Sequence, residues 1–115
     1  MEAARLAAGR RTAADLTALD GALATREAAW RSGRLDDFVE ADTALHTAVV
    51  AAAHNPMLAD LYASVGAAIR ASVAAAIGPD LHPDKHIDHA RLVEAIRAGD
   101  AESAAREAGR FLEPS

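Results

Sequence analysis

More than half of the apolar side chains in this 115-residue chain are single methyl groups: 32 of its 59 hydrophobic residues are alanine, and only 27 are larger. Alanine is the strongest helix former because it loses no rotamer freedom on ordering. Aromatics make up only 3% of the sequence, and Val, Ile and Thr are scattered rather than alternating. No period-two pattern supports a β-sandwich or barrel. The expected fold is all-α, an antiparallel bundle of about six helices in which alanine faces let neighbouring axes approach closely.

The same composition excludes whole classes of function. There is no cysteine, hence no disulfide framework, zinc knuckle or thiol nucleophile. Apolar runs such as Thr47 to Ala53 fall far short of the roughly 18 residues of a membrane span. Met1-Glu2-Ala3-Ala4-Arg5 lacks the basic start and apolar run of a signal peptide, so a cytoplasmic protein that makes no membrane contact is expected. Net charge is −5, with one lysine, Lys85, and eleven arginines spread among acids. Such a balance does not form a nucleic-acid surface. The serines lie in no nucleophile elbow and no glycine-rich phosphate loop is present, so the protein is not expected to be an enzyme.

Punctuation divides the chain into helices. A first runs from Met1 to about Ala8, complete or as the tail of a longer one. Thr12-Ala13-Ala14-Asp15 has the form of a capping box opening a second helix, from about Ala13 to Arg31, with Leu16, Leu19, Leu23 and Trp30 on one face and a stop at Ser32-Gly33. A third starts near Leu35-Asp36-Asp37-Phe38, with an aspartate as N-cap, and continues to about Ala53 on a stripe of Phe38, Leu45, Val49 and Ala52 or Ala53. His54-Asn55-Pro56 breaks it, Asn55 serving as a cap and Pro56 as the first residue of a fourth helix to about Ile77. Leu58, Leu61, Tyr62, Val65, Ile69 and Val73 are its apolar positions. After a Gly78 to Pro83 loop, a fifth helix spans about Asp84 or Lys85 to Ala98, ending at Gly99. Asp100 caps a sixth, from Ala101 to about Leu112.

Three groups of residues carry chemistry. Asp42 and His46, one turn apart on the third helix, present a carboxylate and an imidazole to the same face, as a metal ion requires; a surface pair or a core histidine has the same spacing. His86 and His89, three apart, form a second possible ligand pair, while His82 has no assigned role. His54 lies eight residues past His46, about 12 Å along the helix, too far to share an ion with it. Arg70, on the apolar fourth helix, is placed either to grip a substrate carboxylate in bidentate fashion or to face solvent.

Asp42-Thr43-Ala44-Leu45-His46, followed by Ala51-Ala52-Ala53-His54-Asn55-Pro56, resembles the C-terminal effector-binding domain of the GntR transcription regulators, FadR subfamily. Leu6 to Thr12 looks like that family's first helix and its exit. The stretch from His89 through Ala95-Ile96, Gly99-Asp100 and Ala104-Ala105 is very similar to its His-led segment. The resemblance covers nearly the whole chain in order. It implies a bundle of six or seven helices around a divalent metal, of the zinc, nickel or manganese class, held by one Asp and three His. Carried over residue by residue, Asp42, His46 and His89 are the first three ligands.

The fourth ligand position, about 22 residues after His89, falls on Phe111, which cannot ligate. Either a three-ligand site persists, or the pocket is metal-free with Phe111 as an apolar wall. Glu107, one turn earlier, is an alternative oxygen donor. The resemblance further implies a sensor of a small carboxylate effector, with Arg70 and Asn55 as further ligand-binding candidates beside Phe111, and a homodimer. The family's N-terminal winged-helix domain is expected to be absent, so that this chain alone does not bind DNA. Two alternatives stand beside the sensor: a ligand-free helical dimerisation module, and a metal-dependent enzyme using the same Asp and two His.

Overall fold

A computed structural model describes residues 2–77 and 89–109, apart from the side chains at positions 69, 72–74, 76 and 77. Among the described residues the chain forms seven α-helices and no strand: α1 (Glu2–Arg10), α2 (Ala13–Ser32), α3 (Leu35–Ala52), α4 (Pro56–Ser64), α5 (Gly66–Ile77), α6 (Ala90–Ala98) and α7 (Ala101–Gly109). The all-α expectation is met, with one helix more than expected. No helix among the described residues is long and apolar enough to cross a membrane.

Local chemistry explains most boundaries. Thr12 caps α2 through the reciprocal box: the Asp15 amide donates to Thr12 Oγ1 at 3.2 Å and the Thr12 amide donates to Asp15 Oδ2 at 2.8 Å. Gly33 ends α2 in the left-handed region at φ 77°, and the two-residue link to α3 makes α2 and α3 antiparallel neighbours. Asn55 caps α4 by accepting from the Leu58 amide at 3.2 Å, with Pro56 at the first helical position. Asp100 accepts from the Ser103 amide at 3.1 Å and opens α7.

Three boundaries differ from expectation, and one is the start of α6, which begins at Ala90 with His89 as its N-cap rather than carrying His89 within the helix. α3 is capped by Arg34 in an extended conformation with no side-chain hydrogen bond; Asp36 and Asp37 sit in the first turn, where their charge favours the positive end of the helix dipole. The expected single helix from Pro56 to Ile77 is two helices, broken at Val65 (φ −108°, ψ 11°). α4 and α5 then each pack on α3, α4 with no buried residue. Leu61 and Val65, expected on a core stripe, are accordingly 60% and 40% exposed.

The core is held by Leu19, Leu45, Val49, Leu92, Val93 and Ile96, all at most 1% exposed. Around them, Ala4, Ala7, Ala8, Ala52, Ala104 and Ala108 fill the helix contacts with methyl groups. α1 packs on α7, α6 and α3. Its exit is fastened by the Arg10 Nη1 bond to the Ala53 carbonyl at 3.3 Å and the Arg11 Nη2 bond to the Arg97 carbonyl at 3.1 Å. A further staple joins α2 to the α3–α4 corner, where Asp15 Oδ2 meets His54 Nε2 at 2.6 Å.

Candidate metal and effector site

Asp42 lies on the face of α3 that also carries Leu45 and Val49, so the stripe that builds the core turns a carboxylate inward: its side chain is 6% exposed. His46, one turn on, is 13% exposed and places Nε2 3.4 Å from Asp42 Oδ2. His89 arrives from elsewhere in the chain, at the N-cap of α6, fully buried, with Nε2 3.4 Å from Asp42 Oδ1. The two imidazoles meet edge to face, centroids 5.5 Å apart and nearly perpendicular. Each of the three residues offers one donor atom, all within 4.8 Å of one another. Two donors each ~2.0–2.1 Å from one ion at a tetrahedral angle stand about 3.3 Å apart; His46 lies 3.4 Å from Asp42 Oδ2 and His89 3.4 Å from Oδ1, so the two imidazoles approach the two oxygens of one carboxylate. The donor set fits a divalent ion.

A fourth residue, Arg26 of α2, completes the cluster and was not expected from the sequence. Its Nε donates to Asp42 Oδ1 at 2.7 Å, its Nη1 reaches Glu27 Oε1 at 3.3 Å, and its side chain is 4% exposed. The guanidinium lies over the Phe38 ring, 4.8 Å from the centroid, and Trp30 meets that ring edge-on at 4.9 Å. Phe38 is thus a platform for a cation as well as a core residue. A signal for Arg26 exists: positions 16, 19, 23, 26 and 30 follow one helical stripe, and Arg26 occupies the only polar place in it.

Electrostatics follow from this packing. Burial pushes the Asp42 carboxyl up, but the hydrogen bond and charge of His46, and then those of Arg26, outweigh it and lower its pKa to about 2. Asp42 is an anion under all ordinary conditions. Its charge, added to burial, raises the pKa of the Tyr62 hydroxyl, which places Tyr62 in the field of the cluster.

Tyr62 also lines a groove of about 390 Å³ between α3, α4 and α5, together with Thr43, Thr47, Gly66 and Arg70. Arg70 is half-exposed and pairs with Glu40 at 3.3 Å. Asn55 sits at the α4 cap, apart from the three-donor cluster. Glu107, on α7, is half-buried and is not part of that cluster. Phe111, His82 and His86 lie outside the described residues.

In comparisons with known proteins, the model of one protein family, the FCD domain, matches residues 1–113. No curated protein matches the chain.

Proposed function

As the chain belongs to the FCD domain family, the effector-binding domain of GntR-type transcription regulators, we propose that it is the sensing domain of a FadR-type regulator, responding to a small organic acid. The observation that carries this is the convergence of Asp42 and His46 from α3 with His89 from the start of α6 in one buried cluster. Asp42, His46 and His89 would hold a divalent ion, and such an ion supplies a Lewis-acidic centre for an effector carboxylate. Arg70 and the Tyr62 hydroxyl, in the adjoining groove, supply a cation and a hydrogen-bond donor for the remainder of the acid. The position where the family resemblance implies a fourth ligand is Phe111, which cannot ligate, so an ion held by three residues would keep a place for that carboxylate.

The chain's part is to bind and transmit, not to turn over a substrate. α6, which follows His89 as its N-cap, packs on α1, α2 and α7, so a ligand drawing His89 toward α3 acts on the elements that close the bundle. Joined to DNA-binding domains in a homodimer, the ligand would shift their placement only by its difference in affinity between two arrangements. Thermal denaturation against Zn²⁺, Ni²⁺, Mn²⁺ and a panel of small carboxylic acids tests this. Ligand at about a hundred times its dissociation constant stabilises by roughly 2.7 kcal/mol, a shift of several degrees. Absence of a shift with every ion and acid refutes it. Phe111→His is expected to tighten ion binding; an unchanged affinity removes position 111 from the site.

One observation favours a second function, a ligand-free dimerisation module. Met57 and Leu61 on α4 and Val65 at its C-cap, spaced four residues apart, are exposed by 82%, 60% and 40%. A dimer by sedimentation that is indifferent to ions and acids would support it.

A further inference from the structure

We infer that Arg26 is a built-in cation that competes with a divalent ion for Asp42 and so sets the ion affinity of the cluster. Asp42 is the single anion in the three-donor set, and its Oδ1, the oxygen that faces His89 at 3.4 Å, already accepts from Arg26 Nε at 2.7 Å. A dication placed among these donors therefore meets a carboxylate whose charge is matched by a guanidinium. It also lies beside that guanidinium in a region where Arg26 and Asp42 are 4% and 6% exposed and screening by water is weak. Arg26 is held there independently of Asp42, by Phe38 at 4.8 Å and Glu27 at 3.3 Å. It thus retains a partner when an ion takes Oδ1, and the competition raises the concentration at which the site fills without closing it. Outer-shell donors to a ligating carboxylate commonly support the metal, and their loss weakens binding about 10–100-fold. A fixed positive charge on the only anionic ligand has the opposite sign of effect.

The inference rests on the cluster being the ion-capable sensing site proposed above. Its test is Zn²⁺ and Mn²⁺ titration of the wild type, Arg26→Met, Arg26→Gln and Arg26→Lys by calorimetry, with melting temperature followed in parallel. Arg26→Met, and Arg26→Gln should the former fold poorly, are expected to tighten ion binding by on the order of tenfold or more and to gain more in melting temperature from the ion than the wild type does. Arg26→Lys, which keeps the charge, is expected to stay near the wild-type affinity. Unchanged or weaker binding in both neutral variants overturns the inference, as does a gain in Arg26→Lys equal to theirs. If acids stabilise the wild type while the neutral variants gain no ion affinity, only the role of Arg26 fails. If neither ions nor acids act on any of these proteins, the sensing function fails with it.

Discussion

Removing both partners of the Arg26–Asp42 pair should cost less than the sum of the two single losses. At a separation of 2.7 Å, with both side chains almost fully buried, the gross attraction is roughly 6 kcal/mol at an effective dielectric of about 20, and desolvation offsets much of it. The fall of the Asp42 pKa from 3.8 to about 2 corresponds to about 2 kcal/mol in favour of the ionised form in the folded protein, at roughly 1.4 kcal/mol per unit, shared between His46, the larger contributor, and Arg26. Asp42→Asn leaves a buried guanidinium without its carboxylate, and Arg26→Met leaves the reverse; each is expected to lose about 3–5 kcal/mol. Against a total stability of about 5–15 kcal/mol, either loss is severe. The double variant removes both charges and should recover about 0.5–3 kcal/mol relative to the sum.

Urea unfolding of the four proteins in chelator at neutral pH measures the coupling. Because the folded pKa of Asp42 lies below its unfolded value, the stabilisation is complete above about 3.8 and disappears as the pH falls toward 2. The gap between wild type and Asp42→Asn should therefore narrow over that window. Single losses that add to the double within about 0.5 kcal/mol would refute the pairing as an energetic unit.

Two further predictions concern the frame around the site. Gly99 closes α6 at φ 74°, and a Cβ there would stand 3.1 Å from Arg11 Nη2, so Gly99→Ala should cost about 1 kcal/mol or more in chemical denaturation; a neutral result would show that the Arg11 clamp gives way freely. Burial alone would raise the Asp15 carboxyl, but its bonds to His54 and Thr12 hold it below the usual 3.8. Its contribution is present above that pH and lost below it, so the wild type should lose stability on acidification through this range more steeply than Asp15→Asn does, which parallel denaturation curves would contradict.

Signals satisfied within a few residues were legible in the sequence: the Thr12–Asp15 box, the Asn55-Pro56 start, Asp100, and glycines 33 and 99. Each of these positions has the conformation or bond expected of it. The donors Asp42, His46 and His89 were also expected, and the structure brings them together. Arg26 was not, because a charged residue is ordinarily placed at the surface, and only the stripe through Leu19, Leu23 and Trp30 marks it as inward. The break at Val65 was missed for a different reason. Ser64-Val65-Gly66 holds one weak breaker, and the break is a tightened turn in which the Val65 amide bonds back to the Tyr62 and Ala63 carbonyls, after which α4 and α5 each lie against α3. Apolar periodicity through Leu61 and Val65 reports a helix face without reporting whether anything covers it.

The placement of α1 has a consequence for how the protein is made. Its partners include α7, and Arg10 and Ala101 are separated by 91 positions. At a synthesis rate of about 5–20 residues per second, α1 waits roughly 5–18 s before its last partner leaves the ribosome. Pairings over such sequence distances are slow to form and leave apolar surface uncovered meanwhile. The face that waits consists of Ala3, Ala4, Ala7 and Ala8, methyl groups that offer a wrong partner little area to grip. A larger side chain there would do its harm before the native state exists, as aggregation during synthesis, and stability measurements on the surviving folded fraction would understate it.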